Sequence, residues 1–186
     1  MAIKTCPSLL YLWDKRTLYL GPLFDTLKFS QGAATLIVSL DTPLSFQMVG
    51  MAKPVCTSSL LVPAGMSVQV NTHNAIIANC NLDPVGADFA MLHSLMAKHL
   101  NGIAYQLSNE DAFISSYLKI YRDQFESEKA YETLEGLISS NHQNLVNQYV
   151  VDQRILNVIA LIKQTIDNNL SVDELAESVN LSTPRL

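Results

Sequence analysis

Cations are scarce in this chain of 186 residues: twelve Lys and Arg stand against seventeen Asp and Glu, for a net charge of −5. A surface that grips a polyanion must gather Lys and Arg to displace condensed counterions, and this balance argues against such a surface. Cysteine is sparse too. Cys6, Cys56 and Cys80 are the only three; no two are close, the spacing fits no metal motif, and an odd count argues against a disulfide framework. The four histidines, His73, His93, His99 and His142, contain no His-x-His pair. His93 and His99 fall six apart on a predicted helix, about 240° around it at roughly 100° per residue, which keeps them from sharing a ligand. No Gly-rich phosphate loop and no Ser-His-Asp pattern stands out, so neither a cofactor nor an enzymatic activity is expected. No apolar run approaches the roughly 18 residues of a membrane span. The short run at 9–13 leads straight into Asp14, Lys15 and Arg16 without a small-residue cleavage site, unlike a signal peptide. The expected location is the cytoplasm.

What is present is apolar residue in quantity, 48% of the chain, enough for a real core. From residue 9 to residue 82 short apolar runs alternate with turn signals at a spacing of roughly ten residues. SLLYLW, TLYL, ATLIVSL, LSFQMV, SSLLV, SVQVN and AIIANCNL are punctuated by Gly21-Pro22, Gln31-Gly32, Asp41-Thr42-Pro43, Lys53-Pro54, Pro63-Ala64-Gly65, His73-Asn74 and Asp83-Pro84. That rhythm predicts an antiparallel sandwich or barrel. Asp14, Asp25, Asp41 and Asp83 all fall at turns, where Asp is a turn-former. Cys56 and Cys80 fall in apolar strands, where burial makes a thiol inert. Helical spacing then takes over. Residues 87–100 carry Phe89, Leu92 and Met96; 109–125 carry Ile114, Leu118, Tyr121 and Phe125; 130–139 carry Tyr131, Leu134 and Ile138. Residues 140–148 hold three Asn and two Gln, and 140–151 read as a linker.

Beyond it, VDQRILNVIALIKQTIDNN places Ile155, Val158 or Ile159, Ile162 and Ile166 on one helical stripe, with Asp152 as its N-cap. The final stretch, SVDELAESVNLSTPRL, opens with a capping box: Ser171 can accept from the Glu174 amide while Glu174 reaches back to Ser171. Leu175, Ala176 and Val179 share one face. Asn180 suits the left-handed residue of a tight interhelical turn. Leu181 plugs the corner, and Ser182 or Thr183 caps a second helix with Pro184 in its first turn.

These residues resemble the first helix-turn-helix of the AraC/XylS-type bacterial transcription regulators, in which a Leu-Ala pair is followed by a turn-forming residue, a Ser and a basic recognition helix. The order of strands, helices and helix-turn-helix matches that family, whose N-terminal part is cupin-like. Pro63-Ala64-Gly65 resembles the Pro-x-Gly turn of cupins, and Val68 stands where a metal-binding cupin places a histidine, so no metal is expected. The resemblance implies an α+β chain: an effector-sensing and dimerisation domain over 1–139, with a β-barrel at about 8–84 and helices at about 87–139, then the linker and the start of a DNA-binding domain over 152–186. It also implies a small-molecule effector, a homodimer, and DNA contact from Thr183 and Arg185 at the head of the recognition helix. Only three basic residues against five acidic ones lie between Asp152 and Leu186. DNA binding is therefore expected only of a longer chain.

A pocket needs a concave apolar space with a few polar groups. Tyr11, Trp13, Tyr19, Phe46, Met48 and Val68 are the candidate liners, with the inward face of each strand left open. The helix at 109–125 carries a broader apolar surface than one contact needs, so Ile114, Tyr117, Leu118, Tyr121 and Phe125 are the candidate dimer surface. The alternative reading is a cupin-like small-molecule-binding protein or enzyme with a coincidental helical tail.

Overall fold

The computed structural model describes residues 7–24, 26–83, 86–139, 153–165 and 171–180, with the side chains of Phe29, Ile155 and Lys163 outside that description. The chain forms two units, Met1–Val146 and Asn147–Leu186.

In the first unit the apolar runs become strands, and every pairing is antiparallel. β1 (Leu9–Leu12), β2 (Arg16–Pro22), β4 (Ala34–Ser39), β7 (Ser59–Val62), β9 (Ile76–Leu82), β10 (Met96–Leu100) and β11 (Ile103–Leu107) make a seven-stranded sheet in the order β1-β2-β9-β4-β7-β11-β10. β3 (Leu27–Phe29), β5 (Leu44–Gln47), β6 (Val55–Thr57) and β8 (Val68–Asn71) make a second sheet in the order β3-β8-β5-β6. The expected barrel does not close. Closure requires every strand to have two partners, whereas β1, β10, β3 and β6 each end a sheet. A mixed α+β sandwich results.

The central strands of the larger sheet are buried on both faces. Ile37, Leu60, Val62, Ile77 and Ile103 pack with Leu44, Phe46, Val68 and Val70 of the smaller sheet. The alternate residues, among them Leu18, Leu20, Leu36, Val38, Ala78, Cys80 and Leu82, pack with α1 (Ala87–Ser94), α2 (Glu110–Asp123) and α3 (Ser127–Ser139). All six residues of β4 are buried, which is why its sequence reads as a continuous apolar run rather than an alternation. Arg16 ties the layers together from the first position of β2. Its Nε lies 2.6 Å from Asp88 of α1 and its Nη1 lies 2.5 Å from Glu135 of α3.

Residues 96–100, expected to continue a helix, instead form β10. Asn101 (φ 48°) and Gly102 (φ 87°) both adopt the positive φ of a type I′ hairpin turn, and the pairing it allows between β10 and β11 outweighs the helical spacing of Phe89, Leu92 and Met96. His73 (φ 52°) and Asn74 (φ 64°) also adopt positive φ, in a turn that carries the chain from β8 of the smaller sheet to β9 of the larger one. Gly21-Pro22, expected as a turn, ends β2 instead.

The second unit holds α4 (Gln153–Gln164) and α5 (Val172–Ser178). The capping box is present in both directions: the Glu174 amide donates to Ser171 Oγ at 3.2 Å and the Ser171 amide donates to Glu174 Oε2 at 2.7 Å. Asn180 is left-handed at φ 56°. Val158, Ala176 and Val179 are buried. The linker, Asp152, Ile166, Leu181, Thr183 and Arg185 lie outside the described residues.

Candidate ligand site between the sheets

Strand alternation decides which side chains enter the space between the sheets. On β9, Ile77, Asn79 and Asn81 face it while Ala78, Cys80 and Leu82 face the helices. Tyr19 of β2 and Ile37 of β4 flank Asn79, and Thr17 and Thr35 flank Asn81. The Asn81 rung satisfies itself: Nδ2 donates to Thr17 Oγ1 at 3.0 Å, and Oδ1 accepts from Thr35 Oγ1 at 3.0 Å and from Gln31 Nε2 at 3.1 Å. The Asn79 rung does not, because Asn79 Oδ1 is buried without a hydrogen-bond partner. Tyr19 donates its hydroxyl to the Pro22 carbonyl at 2.9 Å. Deeper in, Phe46 is fully buried and meets the Tyr105 ring edge-on at 5.4 Å between centroids.

The six candidate liners do not converge. Tyr19 and Phe46 pack between the sheets. Met48 and Val68, which touch the same core, also line an open depression of about 590 Å³ together with Lys28, Gln47, Met51 and Gln69. Tyr11 and Trp13 lie on the other side of the larger sheet. The Tyr11 hydroxyl donates to the Phe125 carbonyl at 2.7 Å, and the Trp13 ring stacks on Tyr11 and donates from Nε1 to Ser127 Oγ at 3.0 Å. Those two residues fasten β1 to the helices. Asn79 and Asn81 escaped the reading of the sequence, although two asparagines spaced by two in an apolar strand are a signal, since Asn is depleted from strands.

The proposed dimer stripe is largely consumed within the unit. Tyr117, Tyr121 and Phe125 are buried in the core beneath α2, and Ile114 and Leu118 pack half-buried beside it. Burial without a partner holds the Tyr117 hydroxyl well above the ordinary phenol range, and nearby Cys80 raises it further. Burial likewise pushes the Cys80 thiol up to about 12. Cys56, expected to be buried, is exposed. Ser45 Oγ of β5 lies 3.1 Å from Nε2 of His73, which is at the turn between β8 and β9.

The helix ends at Ser94, so His93 and His99 are not set apart around one cylinder. Their rings meet at 4.7 Å between centroids. Among the described residues no group of three or more His, Cys, Asp or Glu is placed to hold a metal ion. Burial, then the charge of His99, lowers the His93 pKa below its ordinary 6.5. A group lowered on folding stabilises the fold above its unfolded pKa, and that contribution is lost as pH falls below 6.5 toward the lowered value. The melting temperature should therefore drop between about pH 7.5 and about pH 5.5, and His93→Gln should make the drop shallower. An identical pH profile in the variant would remove His93 from this account.

No protein-family model and no curated protein matches the chain. Among solved structures, an apo form of ToxT from Vibrio cholerae is similar over 95% of this chain and 74% of that one, with 8% identity and a TM-score of 0.55. ToxT from the same organism with an unsaturated fatty acid bound gives 11% identity and a TM-score of 0.48, over 91% and 70% of the two chains. A Vibrio parahaemolyticus protein of unknown function gives 19% identity and a TM-score of 0.34, over 40% and 83%. At these identities the likeness is one of fold. No helix among the described residues is long and apolar enough to cross a membrane.

Proposed function

We propose that this chain carries the effector-sensing and dimerisation region of an AraC-type transcription regulator, acting in the cytoplasm, together with the opening of its DNA-binding helix-turn-helix. The observation that carries this reading is the likeness to ToxT, an AraC-family regulator, over nearly the whole chain. It is supported by the capping box of α5 and the left-handed Asn180, the two features that a helix-turn-helix needs at this point. ToxT has been crystallised with an unsaturated fatty acid, which supports a small-molecule effector here. In this reading the effector enters the cupin-like sandwich between its two sheets, beside Tyr19, Asn79 and Phe46. DNA contact is assigned to Thr183 and Arg185 on the resemblance of the sequence. The chain catalyses no reaction and uses no cofactor or metal.

Ile114 and Leu118 form the outward part of the α2 surface and are the residues proposed to meet a second copy. A fusion to a DNA-binding domain that represses only as a dimer tests both halves of the proposal. The fusion should repress a reporter, Leu118→Glu should relieve repression, and an effector found by its increase in melting temperature should change the repression level. A fusion that never represses, from a protein that is monomeric at tens of micromolar, would refute the dimer.

A further inference from the structure

The inner face of the seven-stranded sheet opens toward β1. Leu10 and Leu12 stand on the same face as their partners Tyr19 and Thr17, yet they are 63% and 69% exposed. The four-stranded sheet therefore leaves β1 uncovered, and an apolar shelf leads inward from the edge. Two strands in from β1 lies Asn79, with an Oδ1 that is shut from water and accepts no hydrogen bond. Buried polar atoms are ordinarily satisfied, so a lone acceptor at the inner end of an apolar shelf marks the place where a bound molecule supplies a donor. The face is neutral at this end, and Lys98, opposite Tyr105, stands on β10 at the far edge of the sheet. Among the described inner-face residues of β1, β2, β9 and β4 there are hydroxyls, amides and apolar groups but no charge. Arg16 of β2 faces the helices and is held by Asp88 and Glu135.

We propose that the effector is an uncharged amphiphile, with a hydroxyl or amide N–H donated to Asn79 Oδ1 and an apolar body lying along Leu10, Leu12 and Tyr19. This rests on the inter-sheet space being the effector site, as proposed above. A carboxylate does not suit the site: both its oxygens only accept, so they oppose Asn79 Oδ1, and among the described inner-face residues of β1, β2, β9 and β4 there is no cation to offset the loss of their hydration. Turning the amide over would present an N–H, but one neutral donor leaves a carboxylate under-solvated, whereas a hydroxyl can pair with either end of the amide.

The test titrates the protein calorimetrically at about pH 8 with 1-decanol and with decanoate, which share a chain length and differ in the head group. Decanol should bind at least about tenfold more tightly than decanoate, and Asn79→Leu should weaken decanol about fivefold or more while leaving decanoate unchanged. Circular dichroism verifies the fold of the variant; if Asn79→Leu does not fold, Asn79→Gln, which moves the amide by one methylene, should give the same weakening. Decanoate binding as tightly as decanol, or decanol affinity that ignores Asn79, would overturn the neutral-ligand assignment while leaving the effector site in place. If neither compound binds, the assignment and the inter-sheet site fall together.

Discussion

Arg16→Ala should destabilise the first unit by about 2–4 kcal/mol. The guanidinium is 7% exposed, donates to a carboxylate on each of two helices, and lies 5.6 Å from the Tyr131 ring centroid. Removing one partner from a buried ion pair usually costs roughly 3–5 kcal/mol because the other charge is left stranded. Here the loss should fall somewhat lower, since Glu135 is 44% exposed and Asp88 21%, and both can regain water. In a unit of this size that corresponds to a fall of roughly 10 °C in melting temperature. Trp13, the only tryptophan, lies edge-on to Tyr131 of α3 at 5.4 Å, so its fluorescence during denaturant unfolding reports the helical layer directly. Arg16→Lys should fall in between, because an ammonium keeps the charge but lacks the planar fork that serves two carboxylates at once. A loss under about 0.5 kcal/mol for Arg16→Ala, the range of an ordinary surface change, would show that the helices are held by their apolar faces alone.

Phe46→Ala should cost about 3–5 kcal/mol, the usual range for emptying a fully buried aromatic site. The ring is 0% exposed and braced by Tyr105, from opposite sheets, so neither layer can collapse into the gap without moving its whole sheet. Phe46→Leu retains most of the volume and should cost under about 1.5 kcal/mol. Because the cavity would be lined by apolar groups, benzene should recover part of the loss in the alanine variant by binding only the folded state. Denaturant midpoints with and without benzene decide this. A loss below about 1.5 kcal/mol for Phe46→Ala would mean that the two sheets close up freely around the site.

Much of the strand order was legible because the turn chemistry and the apolar runs agree. His73-Asn74, Pro63-Ala64-Gly65 and the Ser171 capping box each act locally, through φ or through a hydrogen bond to a near neighbour, and distant parts of the chain do not alter them. β3 and β6 were not legible, since three residues are too few for a period. β10 and β11 were legible in principle: Asn101-Gly102 is the strongest two-residue hairpin signal, but the helical spacing before it concealed the turn. The candidate site failed for a different reason. When a sheet is covered on both faces, both sets of alternating residues are apolar, so nothing in Leu18-Tyr19-Leu20 tells which side faces helices and which faces the second sheet. The sequence around Tyr11 and Trp13 suits either side equally, and it is their hydrogen bonds that bind them to the helical layer. The pairing of His93 with His99 depended on where α1 stops, which pattern reads least well.

The double cover over the larger sheet also sets a clock on its amide protons. β4 and β9 have a hydrogen-bonded neighbour on each edge and a packed layer on each face, so their amides reach solvent only when the unit opens as a whole. β1 has an edge without a strand partner and exposed leucines, so it needs only to break its bonds to β2 and the Tyr11 and Trp13 ties to open ahead of the central strands. Deuterium should thus enter this sheet from its margins inward, with the strand that carries Asn79 among the last to exchange. A molecule held against that strand has little protection left to add there, and its presence would register at β1.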